Sequence, residues 1–123
     1  MANILIIDDS PTDVKIFSGA LERAGHKVSA AATAEAGIAA AQKEQPDLVL
    51  MDVIMPGMNG FQATRSLTKD PSTSAIPVVI VTTKNMETDR MWGLRQGAKD
   101  VLVKPISEKD LVANVTKYLP AKG

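Results

Sequence analysis

The sequence predicts an α/β fold in which a five-stranded parallel sheet carries five helices on its two faces. Three observations support this. Short apolar runs of the kind buried in parallel sheets recur along the chain, as in Ile4-Leu-Ile-Ile7, Leu48-Val-Leu-Met51 and Val78-Val-Ile-Val81. Segments with helical spacing, each bracketed by start and stop residues, stand between them. The links are short, so strand and helix alternate as in βαβ units, whose crossovers are right-handed.

Taken in order, Asn3–Asp8 reads as a first strand, and Ser10-Pro-Thr-Asp13 opens a helix with Ser at the N-cap, Pro at the first position and Asp in the first turn. Val14, Phe17, Leu21 and Ala24 recur on its inner side, and Gly25 stops it. His26–Ala31 has the alternating character of an edge strand, with His26 a surface turn residue. Thr33 caps an Ala-rich helix that runs to about Gln45 and stops at Pro46. After the third strand, Leu48–Met51, comes a loop stiffened by Pro56 and loosened by Gly57. Asn59-Gly-Phe-Gln62 then has the form of a capping box. The third helix fades in Lys69–Ser74, and Pro77–Val81 is the fourth strand. A helix from Met86 to Gln96 ends at Gly97, and Val101–Val103 is the fifth strand. Ser107–Asp110 caps a last helix that turns Leu111, Val115 and Leu119 inward, while the tail from Pro120 to Gly123 is expected to fray.

A chain of 123 residues has room for one domain, spanning 1–123 with no effector domain, and for a core that needs no staples. It has no cysteine, which excludes disulfides and thiolate metal sites. Fourteen basic and fourteen acidic side chains cancel, so no bulk field favours nucleic acid or an anionic membrane. No apolar run is long enough for a signal peptide or a membrane span, and the expected location is cytoplasmic. Met51, Met55 and Met58 read as packing residues.

In a parallel sheet all strand C-termini share one edge, which is where open α/β sheets bind their ligands. Asp8 and Asp9 follow the first strand, Asp52 the third, Thr82 and Thr83 the fourth, and Lys104 the fifth. Each alone is ordinarily a helix-start acid, a turn former, a strand residue or a surface lysine. Their conjunction at successive strand ends is what those readings leave unexplained. Three close carboxylates repel unless a cation joins them, and hard oxygen donors without His or Cys point to Mg²⁺. A metal, a lysine and a hydroxyl around one nucleophilic carboxylate are the parts that phosphoryl transfer to Asp52 requires.

These residues carry a resemblance. Asp8-Asp9, Met51-Asp52-Val-Ile-Met-Pro-Gly-Met-Asn-Gly60, Val81-Thr82, Gly97-Ala98 and Lys104-Pro105 resemble the receiver domain of two-component response regulators, in order and over the whole chain. The resemblance implies a flavodoxin-like (CheY-like) sheet of order 2-1-3-4-5. It implies Asp52 as phosphoacceptor, Asp8, Asp9 and the Ile54 carbonyl as further Mg²⁺ ligands, Thr82 as switch hydroxyl and Lys104 as the phosphate contact, with a cis bond to Pro105. The partners implied are a histidine kinase or its phosphotransfer domain and an output protein, for a chain that acts as a monomer. It would catalyse only its own phosphorylation and dephosphorylation.

The wording of residues 59–65 and 74–84 is nearest to the chemotaxis-like, type IV pilus (twitching motility) branch of that family. Two positions depart from the family pattern. Val101 stands where an aromatic ring is usual, and Thr83 where a small residue is. Ile54 and Lys84 occupy variable positions beside the site. The family's output face, the fourth helix with the fifth strand and helix, offers Met86, Met91, Trp92 and Val101 here, and Trp92 reads equally as core cover or as an exposed anchor. An alternative role is that of phosphate sink or relay intermediate for another receiver. A metal-dependent phosphatase with an Asp nucleophile would need a second Asp two residues on and a larger pocket. A flavin mononucleotide carrier would need a first loop that cradles phosphate, where Asp8-Asp9 would repel it. A nucleotide hydrolase would need a Gly-rich loop with Lys.

Overall fold

The computed structural model describes residues 2–120. Of the tail expected to fray, 121–123 lie outside the described residues. The elements follow as β1 (Asn3–Ile7), α1 (Pro11–Arg23), β2 (Lys27–Ala31), α2 (Ala34–Glu44) and β3 (Leu48–Met51), then α3 (Gly60–Lys69), β4 (Val78–Thr82), α4 (Glu87–Arg95), β5 (Asp100–Val103) and α5 (Glu108–Tyr118). The five strands pair in parallel in the order β2-β1-β3-β4-β5, as the resemblance implies.

The period of two along each strand divides the core. Ile4, Ile6, Leu48, Leu50, Val79 and Val81 pack on one face against Phe17 and Leu21 of α1 and Leu111 and Val115 of α5. Leu5, Ile7, Val49, Met51, Val78 and Ile80 pack on the other against α2, α3 and α4. Burial of each large aliphatic side chain stabilises the fold by about 1.5–3 kcal/mol. The central strands, buried on both faces, therefore hold the sheet's register most firmly, and β2, half exposed, holds it least.

The helix starts follow their sequence signals. The Ser10 hydroxyl accepts from the Asp13 amide at 3.3 Å, Thr33 from Ala36 at 3.1 Å and Ser107 from Asp110 at 3.1 Å. At α3 the capping box closes reciprocally, with Asn59 accepting from Gln62 N–H at 2.9 Å and Gln62 from Asn59 N–H at 3.0 Å. α2 ends on Gln45 in the left-handed region at φ 50°, the conformation Pro46 was expected to force a stop near. Its side-chain amide compensates by donating to the Ser72 carbonyl at 3.0 Å.

Several placements differ from expectation. Gly25 at φ 94° stops α1 as expected, and Ala24, the last residue of the apolar spacing, is an exposed C-cap. Leu119, the C-cap of α5, is only half-buried, yet it packs inward against the core as expected. His26 is half-buried, and its Nδ1 accepts the Ala2 amide at 3.2 Å. Asp100 belongs to β5 and is buried. Its carboxylate accepts from Arg90 of α4 at 2.8 Å, from the Val101 amide at 2.8 Å and from the Tyr118 hydroxyl of α5 at 2.8 Å. Burial raises the pKa of this carboxyl, but the donors from Tyr118, Val101 and Arg90 outweigh it and hold the value below the ordinary one.

Candidate functional site

The strand-end residues are placed by extension of the sheet ladder. The Asp8 amide donates to Ala31 O at 3.1 Å, the Asp52 amide to Ile7 O at 2.9 Å and the Lys104 amide to Thr82 O at 2.8 Å. Each is thus fixed by the backbone of the neighbouring strand before its side chain makes any contact. Gly60 lets the loop after Asp52 return closely. A Cβ there would sit 1.9 Å from the Asp52 carbonyl oxygen, and the Gly60 amide closes the loop by donating to Val53 O at 3.0 Å.

Asp8, Asp9 and Asp52 each turn a carboxylate oxygen to within 4.8 Å of the other two. Asp8 and Asp52 are buried and Asp9 is exposed, so the cluster opens to solvent on one side. Lys104 closes the other side. Its ammonium donates to Asp8 Oδ2 at 2.9 Å and to Asp13 Oδ2 at 2.8 Å, and lies 3.6 Å from Asp52 Oδ1. The ammonium lies over the Phe17 ring, 5.8 Å from its centroid. Asp8 Oδ1 also accepts the Ser10 amide at 2.9 Å.

Burial, with the Asp8 carboxylate adding to it, raises the Asp52 carboxyl to about 6 against the opposing pull of Lys104 and the Val53 amide. Burial likewise works to lower the Lys104 pKa, but the hydrogen bonds to Asp13 and Asp8 prevail and raise it. The ammonium stays charged, and the strained partner is Asp52. A cation bound at the open side would relieve that crowding. The donor set fits Mg²⁺: three carboxylates offer hard oxygens, and the exposed Asp9 leaves the cluster open to solvent. No His or Cys stands in the cluster.

Thr82 is buried at the end of β4, and its Oγ1 accepts the Lys84 amide at 3.3 Å. Thr83 beside it is exposed. The Ile54 side chain is 56% exposed at the mouth of the loop. Lys104–Pro105 is cis, with Pro105 on the surface.

Met86, Met91 and Trp92 are exposed on or next to α4. Val101 is buried at 5% exposure and so gives no side chain to an outer face. That corrects its expected place on the output surface. The cause lies in Gly93, where a Cβ would stand 2.7 Å from Val101 Cγ2; α4 sits low on β5 and covers Val101. The sequence reading missed Asp13 as a member of the site and took it for a helix-start acid alone. The available signal was its i, i+4 spacing to Phe17, which puts both on the side of α1 that faces the sheet.

Parallel order 2-1-3-4-5 with three carboxylates and a lysine at the strand ends defines a receiver-type site. Residues 4–116 match the family described as the response regulator receiver domain, and the chain belongs to that family. It is 56% identical over 119 residues to the protein PilH of Pseudomonas aeruginosa, covering 97% of this chain and 98% of that one. It is 41% identical to the response regulator PleD of Caulobacter vibrioides over 93% of this chain, but spans a quarter (25%) of that longer protein. Among solved structures it is similar to the chemotaxis protein CheY4 of Vibrio cholerae, with a TM-score of 0.91, 31% identity and coverage of 97% and 99%. No helix among the described residues is long and apolar enough to cross a membrane.

Proposed function

We propose that this chain is a single-domain response regulator that accepts a phosphoryl group on Asp52 from a phosphohistidine and signals by phosphorylation-dependent docking. The observation that carries the reading is the placement of Lys104 Nζ 3.6 Å from Asp52 Oδ1, beside three carboxylates within 4.8 Å of one another. In the transfer, an Asp52 oxygen attacks phosphorus and an O–P bond forms. The N–P bond of the donor histidine breaks, and its electron pair stays on the imidazole nitrogen, which then takes a proton from water. The side chains of Asp8, Asp9 and Asp52, with the carbonyl of Ile54, are the groups that would hold Mg²⁺. When bound, the ion supplies charge neutralisation for the phosphoryl oxygens.

Lys104 meets one phosphoryl oxygen as a point charge, and Thr82 gives its hydroxyl hydrogen to another once the group has arrived. The buried Thr82 and the half-buried Lys104 at neighbouring strand ends support these roles. The exposed Met86, Met91 and Trp92 support docking through α4. Val101 has no ring to swing inward, so the signal would pass through the Thr82 loop and α4. The wording of residues 59–65 and 74–84 is the ground for a chemotaxis-like motility pathway of the type IV pilus, and the similarity to PilH over nearly its full length is in keeping with that reading.

Phosphotransfer from purified, autophosphorylated histidine kinases of the same host tests the proposal. One kinase is expected to lose its label to the wild-type chain within seconds to minutes, with no transfer to Asp52→Ala. Equal transfer to both proteins rejects the reading.

A further inference from the structure

We propose that Asp13 is a positioning residue for phosphoryl transfer, anchoring the Lys104 ammonium so that its third N–H faces the position a phosphoryl group takes on Asp52. The inference rests on the phosphoacceptor reading above. An ammonium has three donors and no acceptor. Two are committed, at 2.9 Å to Asp8 Oδ2 and at 2.8 Å to Asp13 Oδ2. The third is left over, and Asp52 Oδ1, 3.6 Å from Nζ, is too far to take it as a hydrogen bond.

That distance has two consequences. The Lys104 ammonium does not tie down Asp52 Oδ1 with a hydrogen bond, so it leaves the lone pairs of that oxygen available for attack. A phosphoryl oxygen extends beyond Oδ1 by about one P–O bond and can receive the third N–H without Lys104 moving, which is electrostatic preorganisation. Asp13 is what makes the geometry stable. Without it, the nearest charged acceptors for Lys104 are Asp8 and Asp52, and the ammonium would close onto the nucleophile.

The anchor is itself rigid. Asp13 sits three residues past the N-cap of α1, with its amide held by Ser10 Oγ at 3.3 Å. Four residues on, buried Phe17 fixes the same face of α1 against the sheet, with the Lys104 ammonium over its ring. Lys104 keeps only 10% of its side chain exposed and Asp13 32%, so water competes for the pair from the Asp13 side alone.

The test uses the full chain with Mg²⁺ and acetyl phosphate as donor. The O–P bond to Asp52 forms as the P–O bond to acetate breaks, and acetate leaves with the electron pair. Uptake rates are compared for wild type, Asp13→Asn, Asp13→Ala, Lys104→Met and the double variant Asp13→Asn/Lys104→Met. Both Asp13 variants are expected to slow uptake roughly tenfold, as small misplacements of a charged group do. The double variant is expected to be no slower than Lys104→Met alone, because Asp13 acts only through the lysine. Uptake by the Asp13 variants at or above the wild-type rate, or losses that multiply in the double variant, overturns the inference. Wild type that takes no phosphoryl group overturns the phosphoacceptor reading itself, which is a different result.

Discussion

Lys104 Nζ stands 3.6 Å from Asp52 Oδ1, inside ion-pair range and outside hydrogen-bond reach. The lysine therefore softens the cost of the Asp52 charge without removing it. Burial and the Asp8 carboxylate prevail, and the Asp52 carboxyl titrates near 6 instead of 3.8.

This sets the sign of a pH effect. A carboxyl whose pKa is higher in the folded than in the unfolded chain binds more protons when folded, so the metal-free protein loses stability as pH rises from about 3.8 through about 6. At neutral pH the ionised Asp52 costs up to roughly 3 kcal/mol. Asp52→Asn is expected to unfold at higher temperature than wild type at neutral pH without Mg²⁺, by roughly 1–3 kcal/mol. The gap is expected to close at acid pH, and to narrow when Mg²⁺ stabilises the wild type. Thermal denaturation across pH, with and without Mg²⁺, checks this; an Asp52→Asn variant less stable throughout would contradict it.

Tyr118 of α5 and Arg90 of α4 both donate to the Asp100 carboxylate of β5. Tyr118→Phe removes one donor from a buried carboxylate and is expected to cost roughly 1–2 kcal/mol at neutral pH. The pKa of Asp100 is lowered, so its contribution is complete above the ordinary carboxylate value of 3.8 and is lost as pH falls through the lowered one. The cost of Tyr118→Phe should accordingly shrink in acid. Urea denaturation at both pH values measures the difference.

Gly60 carries no side chain because the Asp52 carbonyl occupies the space, 1.9 Å from where a Cβ would sit. Gly60→Ala forces backbone against backbone and is expected to cost at least about 2 kcal/mol. It should also slow phosphoryl uptake, since the displaced group is the backbone that aims Asp52. A variant of unchanged stability would show that the loop can shift freely.

The exposed Ile54 side chain stands at the mouth of the loop after Asp52. Its apolar surface is expected to hinder water that would attack the acyl phosphate. Ile54→Asn should then speed phosphate loss by roughly two- to tenfold, a barrier change of about 1 kcal/mol. Loss measured after removal of the donor decides the matter, and an unchanged or slower rate rejects the role.

The fold was legible because its signals are local. Apolar runs such as Leu48–Met51 mark buried strands, and caps such as Ser10, Thr33, Asn59 and Ser107 mark helix starts within one residue. The site was legible where it follows from strand ends, since parallel order puts Asp8, Asp52, Thr82 and Lys104 on one edge. What stayed hidden depends on packing distance. Val101 looked available to a partner until Gly93 let α4 settle over it. Asp13 looked like a helix-start acid until the reach of Lys104 was known. Asp100 fell outside the expected strand Val101–Val103, and the partners that hold it, Arg90 and Tyr118, lie on two other elements.

The most direct measurement identifies the modified atom. The chain is treated with acetyl phosphate and Mg²⁺, trapped with borohydride, which reduces an aspartyl phosphate to homoserine, and digested for peptide mass spectrometry. The expected result is homoserine at position 52 alone, and none in samples without donor. Reduction at Asp8 or Asp9, or an unreduced Asp52 in a chain that has taken up phosphate, would contradict the assignment of Asp52 as the phosphoacceptor.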